Sequence, residues 1–158
     1  MSDTVEIEKT VVAMLFAIDR LDWARLRGYF ANELQIDYTS LFGGEAETLA
    51  ADLLLERWRG LLPGFDATQH LTGPVIVTSM TGDGAVAETH VRAYHHIDKM
   101  EGGTWMVAGH YTLQMNRGAA WLISGIRLDV YLQEGDQNLP GVAIERVKTK
   151  VGRRASRG

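Results

Sequence analysis

The chain contains no cysteine, which excludes disulfide cross-links, thiolate metal sites and a cysteine nucleophile. Apolar runs are short: the longest stretch of interest, residues 11–18, is flanked by Glu8, Lys9, Asp19 and Arg20. It falls far below the roughly 20 residues that cross a bilayer, so it reads as a buried helix. The start, Met1-Ser2-Asp3-Thr4-Val5-Glu6, lacks the basic region of a secretory leader, and the expected compartment is the cytoplasm. A phosphate-cradling glycine loop, a serine nucleophile elbow, HExxH and a two-carboxylate metal pattern are also missing, so neither cofactor nor metal is expected. Basic charge crowds the C-terminus. Arg146, Lys148, Lys150, Arg153, Arg154 and Arg157 face only Glu145 there, so the net charge of -4 conceals an acidic body. A nucleic-acid partner is not expected, and the basic tail reads as a solvated, frayed end.

What is present suits one folded domain: 158 residues, 46% hydrophobic and 23% charged. Apolar residues at 5, 7, 11, 12, 14, 15, 16 and 18 predict a first helix buried around most of its circumference. A short second helix starts near Asp22, and a third is expected from about Leu49 to Leu61, stopped by Pro63-Gly64. Leu34, Ile36 and Tyr38 alternate with polar neighbours as in a half-buried strand. From Gln69 onward, turn signals at residues 81–84, 101–103 and 116–118 mark off the long strands of an antiparallel meander.

Alternation within those strands separates inward from outward side chains. Trp105, Val107, Gly109, Tyr111, Leu113 and Met115 share the inward face of one strand, and Ala87, Val91, Ala93, His95 and Ile97 that of another. Leu122, Ile126, Leu128 and Val130 form the apolar set of the last strand. Ala93 and Gly109 are small enough to leave space inside. His90, His96 and His110 face outward, and the adjacent His95-His96 pair points to opposite faces and cannot chelate one ion.

Asp19 is anomalous. It shares a helical face with Val12, Leu15 and Phe16 close to a helix C-terminus, where the macrodipole disfavours an anion. Either a cation such as a histidinium compensates it, or it lies exposed and caps the turn toward Asp22. His70, in Thr68-Gln69-His70 at the entry to the first long strand, is structural or functional on spacing alone.

Residues 16–27 (FAIDRLDWARLR), with Ile36-Asp37-Tyr38, Thr68-Gln69-His70, Val91-Arg92-Ala93-Tyr94-His95 and Gly109-His110-Tyr111, resemble the SnoaL-like branch of the nuclear transport factor two-like superfamily. That branch holds scytalone dehydratase and hexachlorocyclohexane dehydrochlorinase. The resemblance implies an α+β fold: a cone-shaped barrel whose curved mixed or antiparallel sheet is closed by about three N-terminal helices around a pocket. The domain would span residues 1–140, with residues 141–158 a basic tail that is flexible or folds over the pocket mouth. It also implies a catalytic Asp19/His70 dyad, with His70 as the base. Tyr38, His95, Tyr111, Val91, Ala93, Val107, Gly109, Ile126, Leu128 and Ile18 would form the substrate-binding wall.

Ile18, Gly109, Tyr111 and Ile126 replace polar residues of those relatives, which implies a more apolar pocket and a different substrate. The expected activity is a cofactor-independent lyase of the dehydratase type, acting on a small hydrophobic, aromatic or polycyclic compound in a homodimer or homotrimer. A non-catalytic ligand-binding protein, a polyketide cyclase and a ketosteroid-type isomerase remain open. So do an epoxide hydrolase and the small subunit of a ring-hydroxylating oxygenase.

Overall fold

Ser2 caps the first helix, α1 (Asp3–Arg20), by accepting a hydrogen bond from the Val5 N–H at 3.4 Å. In this computed structural model, which describes residues 1–98, 103–150 and 154, α1 ends in a left-handed turn at Leu21 with φ 55°. The Asp22 N–H bonds the Ala17 carbonyl at 2.9 Å and the Leu21 N–H bonds the Ile18 carbonyl at 3.1 Å, closing the helix in a Schellman turn. Asp22 then caps α2 (Trp23–Gly28), accepting from the Arg25 N–H at 3.2 Å. Capping thus falls to Asp22 and leaves the Asp19 carboxylate for other partners.

Burial of α1 is one-sided. Ile7, Val11, Met14, Leu15 and Ile18 line a single stripe facing the sheet, whereas Phe16 is 56% exposed beneath the Arg20 guanidinium, 5.3 Å from its ring centroid. The expectation of burial on most of the circumference overcounted the apolar residues that face solvent.

After β1 (Phe30–Asp37) and α3 (Thr39–Phe42) comes β2 (Glu47–Ala50), then α4 (Ala51–Arg59) and a 3-10 turn at Leu62–Gly64. The third helix is therefore shorter than expected, because Leu49 is drawn into a strand opposite Leu34 of β1. The strand expected from Gln69 is two strands, β3 (Ala67–Thr72) and β4 (Ile76–Thr81), broken at residues 73–75, where Pro74 has no N–H for a ladder. Both pair with β5 (Gly84–His96), which is followed by β6 (Thr104–Arg117), β7 (Trp121–Gly135) and α5 (Leu139–Thr149). Of the turn expected at residues 101–103, Glu101 and Gly102 lie outside the described residues.

The sheet runs β2-β1-β7-β6-β5-β3, with β4 also on β5; β1 and β7 are parallel and the other pairs antiparallel. It is curved and unclosed, with the N-terminal helices filling the open side. Two bulges bend β7 against β6. Gln114 pairs with Gly125 but Met115 pairs with Ile123, so Ser124 is extra, and Tyr131 is extra in the same way between Val130 and Leu132. The first bulge flips the parity of β7: Trp121 and Ile123 are buried before it, Ile126 and Leu128 after it, and Leu122 falls outside the inward set.

Residues 139–149 form α5 (Leu139–Thr149) in place of the frayed end expected from the charge of the tail, of which residues 151–153 and 155–158 lie outside the described residues. Helix α5 docks on the 3-10 turn, where a Cβ at Gly64 would lie 1.9 Å from the Ala143 carbonyl oxygen, so only glycine admits this approach. Leu139 and Ala143 are fully buried there, and Arg146 pairs with Asp66 at 2.9 Å. Among the described residues, no helix is long and apolar enough to cross a membrane.

Candidate active site

The Schellman turn leaves Asp19 one residue short of the end of α1, over the start of β3. There the carboxylate collects three hydrogen bonds. Its Oδ1 lies 2.7 Å from His70 Nδ1 and accepts from the Thr68 hydroxyl at 3.0 Å, while its Oδ2 accepts the His70 backbone N–H at 2.8 Å. The side chains are 17% exposed for Asp19 and 7% for His70. Burial by itself would raise the carboxyl pKa, but the bonds from His70 and Thr68 and the His70 charge outweigh it and hold Asp19 below its ordinary 3.8. An ionised carboxylate only accepts, so Nδ1 of a neutral His70 carries the proton and Nε2 keeps a lone pair.

His70 opens onto a cavity of about 520 Å³ between the concave face of the sheet, the turn after β1, α4 and α5. Of the residues expected on its wall, Ile18, Tyr38, Ala93, His95, Val107, Tyr111 and Leu128 line it. Val91, Gly109 and Ile126 do not. Val91 and Ile126 point inward but are packed into the solid core, 3% and 2% exposed. Gly109 leaves no space, because a Cβ there would sit 2.1 Å from the Asp129 carbonyl oxygen; the missing side chain lets β7 approach at its bulge.

His95 is buried in an aromatic stack. Its ring centroid lies 4.5 Å from Trp105, 5.0 Å from Phe65 and 6.0 Å from His70, the last edge-on. Nδ1 donates to the Trp105 carbonyl at 3.2 Å. Burial, aided by the neighbouring His70 charge and opposed by the Trp105 carbonyl, pushes its pKa down to about 4. A neutral imidazole with an accepting Nε2 results.

Across the cavity, desolvation raises Tyr38 well above the ordinary phenol value, and its hydrogen bond to Tyr111 adds to this. Tyr111 is pushed up by burial to about 12. Both phenols keep their protons near neutrality and serve as donors.

Thr68 belongs to the site although the sequence pointed only to its neighbour; its position two residues before His70 on the same strand face was the available signal. Leu54, Trp58, Leu61, Leu62 and Ile144 complete an apolar outer wall, and no periodicity joins these residues of α4, the 3-10 turn and α5 to one surface. The mouth is acidic, with Glu45, Glu47 and Glu56 against Arg57, and Arg57 is bonded to Glu47 at 2.6 Å. Among the described residues no group of three or more His, Asp or Glu side chains is placed to hold a metal ion.

A family model described as SnoaL-like domain matches residues 1–127. The chain belongs to the SnoaL-like family. No curated protein matches it in sequence. Among solved structures, this SnoaL-like chain is similar to the Kfla4162 protein from Kribbella flavida, with TM-score 0.80 and 25% identity over 89% of this chain and 96% of that one. It also shares its fold with a scytalone dehydratase-like protein from Novosphingobium aromaticivorans, with TM-score 0.69 and 16% identity over 83% and 85% of the two chains. The hexachlorocyclohexane dehydrochlorinase LinA-type3 from Novosphingobium barchaimii aligns with TM-score 0.69 and 13% identity over 84% and 89%. At these low identities the last two establish the SnoaL-like fold and nothing finer.

Proposed function

We propose that the protein is a small-molecule lyase in which His70, oriented by Asp19, removes a proton from carbon inside the cavity. The observation that carries this reading is the 2.7 Å contact between His70 Nδ1 and a carboxylate already held by two further donors. It fixes the tautomer that makes Nε2 the base and stabilises the imidazolium formed when the proton arrives. The fold shared with a dehydratase-like protein and a dehydrochlorinase supports elimination as the reaction class.

For a β-hydroxy carbonyl compound, the Cα–H bond breaks and its proton passes to Nε2. The electron pair moves into the enolate, whose oxygen Tyr38 or Tyr111 stabilises by hydrogen bonding. The Cβ–O bond then breaks with its electron pair, the departing oxygen takes the proton back from His70, and water leaves with a C=C bond formed. Neutral His95 orients the substrate hydroxyl by accepting from it. The apolar outer wall suits a ring-sized hydrophobic body.

A panel of cyclic β-hydroxy and β-halo ketones tests this, followed by the absorbance of the conjugated product and by α-proton exchange in D2O. Wild type is expected to catalyse elimination or exchange, and His70→Ala to lose about 10²-fold or more in kcat/KM. Asp19→Asn is expected to lose activity as well. Unchanged turnover in both variants sinks the mechanism; saturable binding without turnover or exchange would favour a ligand-sequestering protein.

A further inference from the structure

We propose that Arg154, from the basic C-terminal tail, is a positioning residue of the dyad: it docks on the end of α1 and orders Thr68, and through Thr68 the Asp19 carboxylate that holds His70. Its Nη1 donates to Thr68 Oγ1 at 3.0 Å and its Nη2 to the Asp19 backbone carbonyl at 3.1 Å. A threonine hydroxyl has one proton, and a guanidinium can only donate. Receiving a bond from Arg154 therefore commits the Thr68 proton to its other neighbour, Asp19 Oδ1, 3.0 Å away. The contacts form a directed chain, Arg154 to Thr68 to Asp19 to His70.

The chain also accounts for an anion at a helix C-terminus. The last carbonyls of α1 lack intrahelical donors and carry the negative end of the helix dipole, which disfavours Asp19. Arg154 satisfies one of those carbonyls and brings a full positive charge to the same place. The guanidinium is itself drawn out of water, and Asp19 and Asp66 offset that cost. The inference rests on the reading of His70 as the base, and it makes Arg154 a functional part of the site.

A fixed cation close to an imidazole favours the neutral ring over the charged one. Among the described residues, the charged and titratable groups facing His70 are Asp19 from α1, His95 from β5 and Arg154, with the Tyr38 and Tyr111 phenols across the cavity and the Asp66–Arg146 pair near Arg154. Replacing Arg154 with a neutral residue removes the one net positive charge in this set that no carboxylate side chain bonds directly within hydrogen-bond distance in the described contacts. The dyad should then hold its proton to higher pH.

The experiment uses the full chain and needs no substrate. The imidazole resonances of 15N-labelled protein are titrated for wild type, Arg154→Gln and Arg154→Lys, with His70→Ala identifying the signal and thermal melts confirming folding. Arg154→Gln is expected to raise the dyad midpoint by about half a pH unit or more, and Arg154→Lys to restore most of the shift. A midpoint in folded Arg154→Gln equal to wild type, or lower, overturns the inference. If the midpoint moves as expected while His70→Ala retains full turnover, the positioning chain stands and the base assignment fails.

Discussion

Histidines occupy both faces of the same sheet, and the two faces treat them differently. On the concave face His70 and His95 are held dry, each with Nδ1 spent on an oxygen and Nε2 left over. On the convex face His110 bonds the Tyr131 hydroxyl at 2.8 Å and approaches Asp129 at 3.5 Å, while His96 bonds Thr104 at 2.9 Å and approaches Asp98 at 3.1 Å. The outer pairs look like dyads by distance, yet the His96 and His110 side chains are 46% and 28% exposed and open to solvent, which weakens an ion pair. A carboxylate beside an imidazole becomes a candidate base only where water is excluded and a cavity opens at the other ring nitrogen.

The sharpest way to break this comparison is to remove one histidine from each face. His70→Ala should cut kcat/KM about 10²- to 10⁴-fold on any genuine substrate, whereas His110→Ala leaves it unchanged; equal losses would erase the distinction. Stability against pH tests the dryness of the inner face. Unfolded His95 takes a proton near pH 6.5 but the folded protein resists until about pH 4, so between those values the unfolded state binds more protons. Acidification through that window should cost on the order of 3 kcal/mol and level off below it, and His95→Gln should flatten the slope in urea unfolding. Asp19 acts lower: its depressed folded pKa stabilises above the unfolded value of about 3.8, and that contribution disappears as pH falls through the folded value.

The bulges that join the two faces give a smaller effect. Gly109→Ala would set a Cβ 2.1 Å from the Asp129 carbonyl oxygen, and about 1–3 kcal/mol of lost stability is expected by denaturant titration. Least of all, His110→Ala should change stability by no more than about 0.5 kcal/mol. A larger loss would mean that the convex face is buried against something in solution.

Much of the fold was legible in the residues because long strands repeat their pattern every second position, and ten or more residues average out local exceptions. Reading failed where one residue interrupts the period. Ser124 flips the parity of β7, so Leu122 was wrongly turned inward and Trp121 and Ile123 overlooked. Gly109 was taken for empty space, when its missing side chain accommodates a neighbouring backbone. Inward direction also did not guarantee a place on the cavity, since Val91 and Ile126 point inward into solid core. Within the dyad, a resemblance singled out Asp19 and His70, while spacing alone left both a compensated anion and a capping role open for Asp19; the cap is Asp22.

The sequence by itself determined the alternating faces of β5 and β6, the helical start of the chain and the shortage of alternatives to an imidazole base, because these depend on residue types and local periodicity. Tertiary structure decided which inward residues meet at one void, that α5 forms part of its wall, and that a tail arginine reaches an aspartate more than a hundred positions earlier. Such contacts arise from chain reversals and docked helices, and no local period encodes them.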